Sequence, residues 1–183
     1  MTMGTPRKRT TAPVRAAALL AVAVLSATGC SGQETFEVAD LCGTKADPAL
    51  VAPFLPKGDE LKVDDSLSKP GQPRCKVSVD GTLHLYLRGD IVEPDFDPLE
   101  ATEQSMRRLG NPAPADGIGD GATIADHGAM AVGACTHQGE KRQYVLDVDA
   151  VDHPQDTSER RLALERFVRA QLPVAMEAEG CRP

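Results

Sequence analysis

Five cysteines carry the chemistry most legible in this sequence, and their surroundings divide them by role. Cys30 ends the run Leu25-Ser26-Ala27-Thr28-Gly29-Cys30-Ser31, a thiol placed after small residues that close an apolar stretch. A cysteine in that setting is a lipid acceptor. After cleavage before Cys30 a diacylglycerol thioether can form on the sulfur, and each buried acyl methylene adds roughly 0.8 kcal/mol of membrane affinity. One position departs from the usual pattern: Ala27 stands three residues before the cysteine, where Leu, Val or Ile is preferred. Cys42, Cys75, Cys135 and Cys181 remain, an even number that an oxidising compartment converts into two disulfides. Three pairings are open. The sequential one, Cys42 with Cys75 and Cys135 with Cys181, would tether each strand region to a neighbouring terminal segment, and loops of that size correspond to roughly 3 to 4 kcal/mol each in the chain-entropy treatment. The spacing contains no Cys-x-x-Cys or Cys/His zinc pattern.

Other reactive side chains are dispersed. His84, His127, His137 and His153 show no His-Glu-x-x-His, and no Gly-x-Ser-x-Gly elbow occurs, so the reading expects no catalytic residue, no metal and no cofactor. Carboxylates pair at Asp95 and Asp97 and gather at Asp147, Asp149 and Asp152. The twelve-residue calcium loop is absent, which leaves exposed strand acids and helix caps as the expectation. The glycines of Gly117-Ile118-Gly119-Asp120-Gly121 lack the preceding strand, the following helix and the Gly-Lys-Ser/Thr of a phosphate loop, and read as a turn. Arg88-Gly89-Asp90 spells an adhesion tripeptide at a strand end. The best surface cluster for binding is His84, Tyr86 and Arg88 on one strand.

Three segments must position these groups. Residues 1–29 read as a lipoprotein signal peptide, with Arg7, Lys8, Arg9 and Arg15 before an apolar run, Ala16 to Leu25, too short to span a bilayer. Residues 30–37 are the lipidated cysteine and a short tether, and residues 38–183 a single domain. The signal holds four of the 20 basic residues and none of the 27 acidic ones, so 16 basic residues face 27 acidic ones in the exported part, a net charge of −11. That balance argues against nucleic acid, which needs Lys and Arg to neutralise phosphates. With no Trp, four Phe and two Tyr, the core must be built from Leu, Val, Ala and Met.

Within the domain, Asp47-Pro48 reads as N-cap and first residue of a brief helix, and the stretch from Val63 to Arg74 as a loop. Cys75 to Val79 and Leu83 to Leu87 alternate as half-buried strands around Asp80-Gly81. A three-residue connection is expected, pairing Val79 with Leu83 and Val77 with Leu85, because a two-residue turn would set Val77 against His84 and mix faces. Asp97-Pro98-Leu99-Glu100 opens a helix closed by Gly110. Met130 to Thr136 and Gln143 to Val151 form a second hairpin, with Tyr144, Leu146, Val148 and Ala150 on one face and Asp147 and Asp149 on the other. Asp156 and Glu159 begin a helix whose apolar face runs through Leu164, Phe167, Val168, Leu172, Ala175 and Met176, with Gly180 at its end. The sum is an α+β fold: an antiparallel sheet of about four strands from two hairpins, helices packed on one face, and two disulfides.

The Ala- and Asp-rich composition, the lipobox, Val38-Ala39-Asp40-Leu41-Cys42, Arg74-Cys75-Lys76-Val77 and Gly117-Ile118-Gly119-Asp120-Gly121-Ala122 together resemble uncharacterised actinobacterial secreted lipoproteins. The resemblance implies a cell-envelope location and a small disulfide-bonded domain, and carries no catalytic residues. The functional expectation is an exported, non-enzymatic binding or accessory module, lipid-anchored through Cys30 on the outer face of the cytoplasmic membrane, with an envelope protein or small ligand as partner. An envelope-acting enzyme using His84, Tyr86 and Arg88 and a surface-displayed inhibitor are the alternatives.

Overall fold

The computed structural model describes residues 35–183. The signal segment and Cys30 lie outside the described residues. Two small strands, β1 (Asp40–Leu41) and β2 (Thr44–Lys45), precede helix α1 (Pro48–Val51), whose cap Asp47 accepts a hydrogen bond from the Ala49 amide, as the Asp-Pro pair predicts. Then come β3 (Leu61–Asp64), β4 (Arg74–Val79), β5 (Thr82–Val92), helices α2 (Pro98–Ala101) and α3 (Glu103–Arg108), β6 (Ala113–Pro114), β7 (Gly121–Ile124), β8 (Gly128–His137), β9 (Glu140–Ala150) and the long helix α4 (Thr157–Ala178).

The expected four-strand α+β arrangement is overturned. Among the described residues sheet dominates: seven strands in the order β3-β4-β5-β9-β8-β7-β6, antiparallel throughout, and the separate two-stranded β1–β2 pair. The two expected hairpins, β4–β5 and β8–β9, form its centre, joined by β5 pairing with β9. The additional strands come from the Asp- and Ser-rich stretch after Leu61 and from the Pro- and Gly-rich stretch after Asn111. Such short edge segments carry little alternation of their own and gain strand geometry by satisfying their backbone groups on a neighbour.

Nor do the helices share one face. Alternating residues of β4, β5, β8 and β9, among them Val77, Leu85, Tyr144, Leu146, Val148 and Ala131, pack with Leu164, Phe167, Val168 and Leu172 of α4 in the main core. Burying each large apolar side chain there contributes roughly 1.5–3 kcal/mol. Met130 and Val145 have the opposite parity and form a second core with Met106 of α3, so α2 and α3 cover part of the other face. Two buried polar side chains tie α4 to the segments around it: Arg160 donates to the carbonyls of Asp126 and Pro154, both at 2.6 Å, and Gln171 to that of Lys45 in β2 at 3.0 Å.

The first hairpin solves its register problem differently from the expectation. Asp80 and Gly81, at φ 50° and 77°, form a two-residue turn, pairing Val79 with Thr82 and Ser78 with Leu83. A β-bulge then absorbs His84, restoring Val77 opposite Leu85. The buried face is preserved because the extra residue is left out of the ladder.

Both disulfides form, as Cys42–Cys75 and Cys135–Cys181. The second pins the segment after α4 to β8, alongside paired backbone hydrogen bonds between Thr136 and Arg182.

Candidate functional site

The sheet face opposite α4 carries a charged array next to the second core. Arg88 of β5 lies across from Asp147 of β9, and Tyr86 across from Asp149 and, on its other side, Lys76 of β4. The Arg88 guanidinium donates from Nη2 to Asp147 Oδ2 at 2.7 Å and to Asp149 Oδ1 at 3.2 Å. Its carbon stands 5.3 Å from the Tyr86 ring centroid, and the Lys76 ammonium 5.7 Å from it. Two cations therefore flank one aromatic ring, within the range of cation–π attraction.

These groups are held partly out of water: the side chains of Asp147, Asp149 and Arg88 are 19%, 25% and 32% exposed. Burial pushes the Asp147 carboxyl up to about 6, against the attraction of Arg88 and with the repulsion of Asp149 added. Burial raises Asp149 as well, again opposed by Arg88. Arg88 Nε and Asp147 Oδ1 are buried with no hydrogen-bond partner among the described residues. A second pair borders the array, Arg74 donating to both carboxylate oxygens of Asp90 at 2.9 and 3.1 Å.

Of the three surface residues predicted on β5, Tyr86 and Arg88 come together and His84 does not join them. The bulge leaves His84 5% exposed, with its ring against Asp152 and His153. Asp147, Asp149 and Asp152 do not converge as a calcium cluster would require: Arg88 bridges the first two, while Asp152 meets His84 Nδ1 at 3.1 Å and His153 Nδ1 at 2.8 Å. Those contacts, led by that of His153, hold the Asp152 carboxyl below the usual carboxylate range. Asp97 caps α2. The Arg88-Gly89-Asp90 tripeptide lies inside β5, with Gly89 buried and both charges paired within the sheet.

Strand-by-strand reading placed Asp147 and Asp149 on a strand face but missed their shared partner. Their alternation against Tyr144 and Leu146 marked the face they share, but only the pairing of β5 with β9 delivers Arg88 between them. A cavity of about 860 Å³, lined by Ile118, Leu172, Met176, Arg169 and Arg182, gathers neither His84 nor these acids. Among the described residues, no helix is long and apolar enough to cross a membrane. No family model matches the chain, and neither the curated proteins nor the solved structures compared with it give a match.

Proposed function

We propose that this chain is a lipid-anchored, extracytoplasmic module of the cell envelope that acts by binding, using the face of Lys76, Tyr86 and Arg88 to engage an envelope protein or small ligand. Anchoring rests on the residues leading to Cys30, and the closed set of four disulfide-bonded cysteines fits an oxidising compartment.

The observation that carries the binding role is the fixed geometry of Tyr86 and Arg88. Both stand on β5, inside the sheet, and Arg88 is oriented by two carboxylates rather than by solvent. Side chains immobilised before contact lose little rotamer entropy on binding, and Tyr and Arg are the types that concentrate binding energy at interfaces.

Site-specific photocrosslinking of the full chain in intact envelopes tests this reading. A photoreactive residue at Ser78, two residues along β4 from Lys76 on the same half-exposed face, keeps Tyr86 and Arg88 in place and should give a discrete adduct that disappears with Arg88→Ala. The same probe at Lys57, an exposed position outside this face, should give none. Equal labelling from both positions, or no adduct from position 78, would overturn the proposal.

A further inference from the structure

We propose that His84, Asp152 and His153 form a binding site for a divalent transition-metal ion of the zinc class. The three residues are brought together by two features far apart in sequence. One is the β-bulge that turns His84 out of the β4–β5 ladder. The other is the exit of the chain from β9, where Asp152 and His153 directly follow Val151.

That exit is fastened to the sheet. The Val151 amide donates to the His84 carbonyl at 3.0 Å, the Ala150 amide donates to the His127 carbonyl at 2.9 Å, and His127 Nδ1 lies 2.8 Å from the Val151 carbonyl. The backbone holding the three side chains is therefore set before any ligand arrives, the condition under which a small metal site keeps its geometry.

The donor atoms already converge. Nδ1 of His84 and Nδ1 of His153 approach the same oxygen, Asp152 Oδ1, at 3.1 and 2.8 Å, and the ligand atoms of the three residues lie within 4.8 Å of one another. A tetrahedral zinc ion with bonds of about 2.0 Å holds its ligand atoms about 3.3 Å apart, so a small expansion of this set admits the ion. The imidazole rings stand edge to face, 5.4 Å between centroids at 82°, so the two nitrogens reach the carboxylate from different directions.

The ligand chemistry selects the class of ion. Two imidazole nitrogens and one carboxylate oxygen suit zinc and neighbouring first-row metals, whereas calcium and magnesium require oxygen-dominated shells of six or more. Exposure is graded across the site: the His84 side chain is 7% exposed, that of His153 25% and that of Asp152 56%. An ion held there has three protein ligands and a fourth position facing solvent, open to water or to a group from a bound partner.

Calorimetric titration with Zn²⁺ alone tests the site, using chelator-treated full chain carrying Cys30→Ser so that no free thiol competes. Saturation at one ion per chain is expected, with Asp152→Asn and His153→Ala each weakening affinity at least ~10-fold. Because His84 is buried, these two more exposed positions carry the test, with circular dichroism checking that each variant is folded. Co²⁺ should give visible absorption in the parent that is lost in His153→Ala. Absence of saturable binding, or binding unmoved by both substitutions, would overturn the assignment.

Discussion

Arg88 and Asp147 face each other across β5 and β9 at 2.7 Å, yet each keeps a buried polar atom without a partner among the described residues, Nε on the arginine and Oδ1 on the aspartate. The pair is thus incompletely satisfied, and the Asp147 carboxyl, lifted to about 6 from 3.8, records the cost of keeping its charge there. In the unfolded chain Asp147 ionises near its ordinary value, so between about pH 4 and about pH 6 the folded state retains a proton that the unfolded state has lost. Its contribution to stability is complete below that window and lost as pH rises through it. Relative to Asp147→Asn, the parent protein should therefore lose on the order of 2 kcal/mol between pH 4 and pH 7. Urea denaturation across that range checks this; a gap independent of pH would contradict it.

Gly89 and Tyr144 interlock on the other side of the same strand. A Cβ on Gly89 would collide with the Tyr144 hydroxyl oxygen and stand 2.7 Å from Pro73 Cγ, while Tyr144 is 1% exposed. Gly89→Ala should destabilise the fold by about 1–3 kcal/mol, the range for overpacking a close-packed core. Removing the hydroxyl with Tyr144→Phe should recover part of that loss, so the double-mutant cycle should show coupling. Additive effects of the two substitutions would count against this contact.

The Cys135–Cys181 bridge closes a separation of 46 residues and anchors the chain just beyond α4. Replacing both cysteines by alanine should cost roughly 4 kcal/mol in the chain-entropy treatment, read as a lower urea midpoint. A loss below about 1 kcal/mol would show that the paired hydrogen bonds of Thr136 and Arg182 suffice to hold the terminus.

Cys30→Ser should abolish acylation and membrane retention while leaving both disulfides formed. Intact-mass measurement and membrane fractionation read the two outcomes separately. Retention of the variant in the membrane fraction would remove the basis for lipid anchoring.

What proved legible in the sequence were interactions spanning a few residues. Asp97 and Asp156 cap helices by accepting hydrogen bonds from amides three residues on, and Asp80-Gly81 supplies the positive φ angles of a turn. The turn was recognised but its length was not, because a bulge at His84 could reconcile the short turn with the buried face. The edge strands were missed for a related reason: Leu61–Asp64 and Ala113–Pro114 become strands only on the neighbours that pair with them.

By itself the sequence determined the division of cysteines into one candidate lipid acceptor and four for the fold, the two central hairpins, and the apolar face of α4. Only the tertiary structure decided which cysteines pair, that Arg88 meets Asp147 59 residues away, and that His84 meets Asp152 68 residues away. Local propensity extends over a helix turn or a strand pair. Contacts across such separations depend on which strand edges meet, and that is settled by burial summed over the whole sheet.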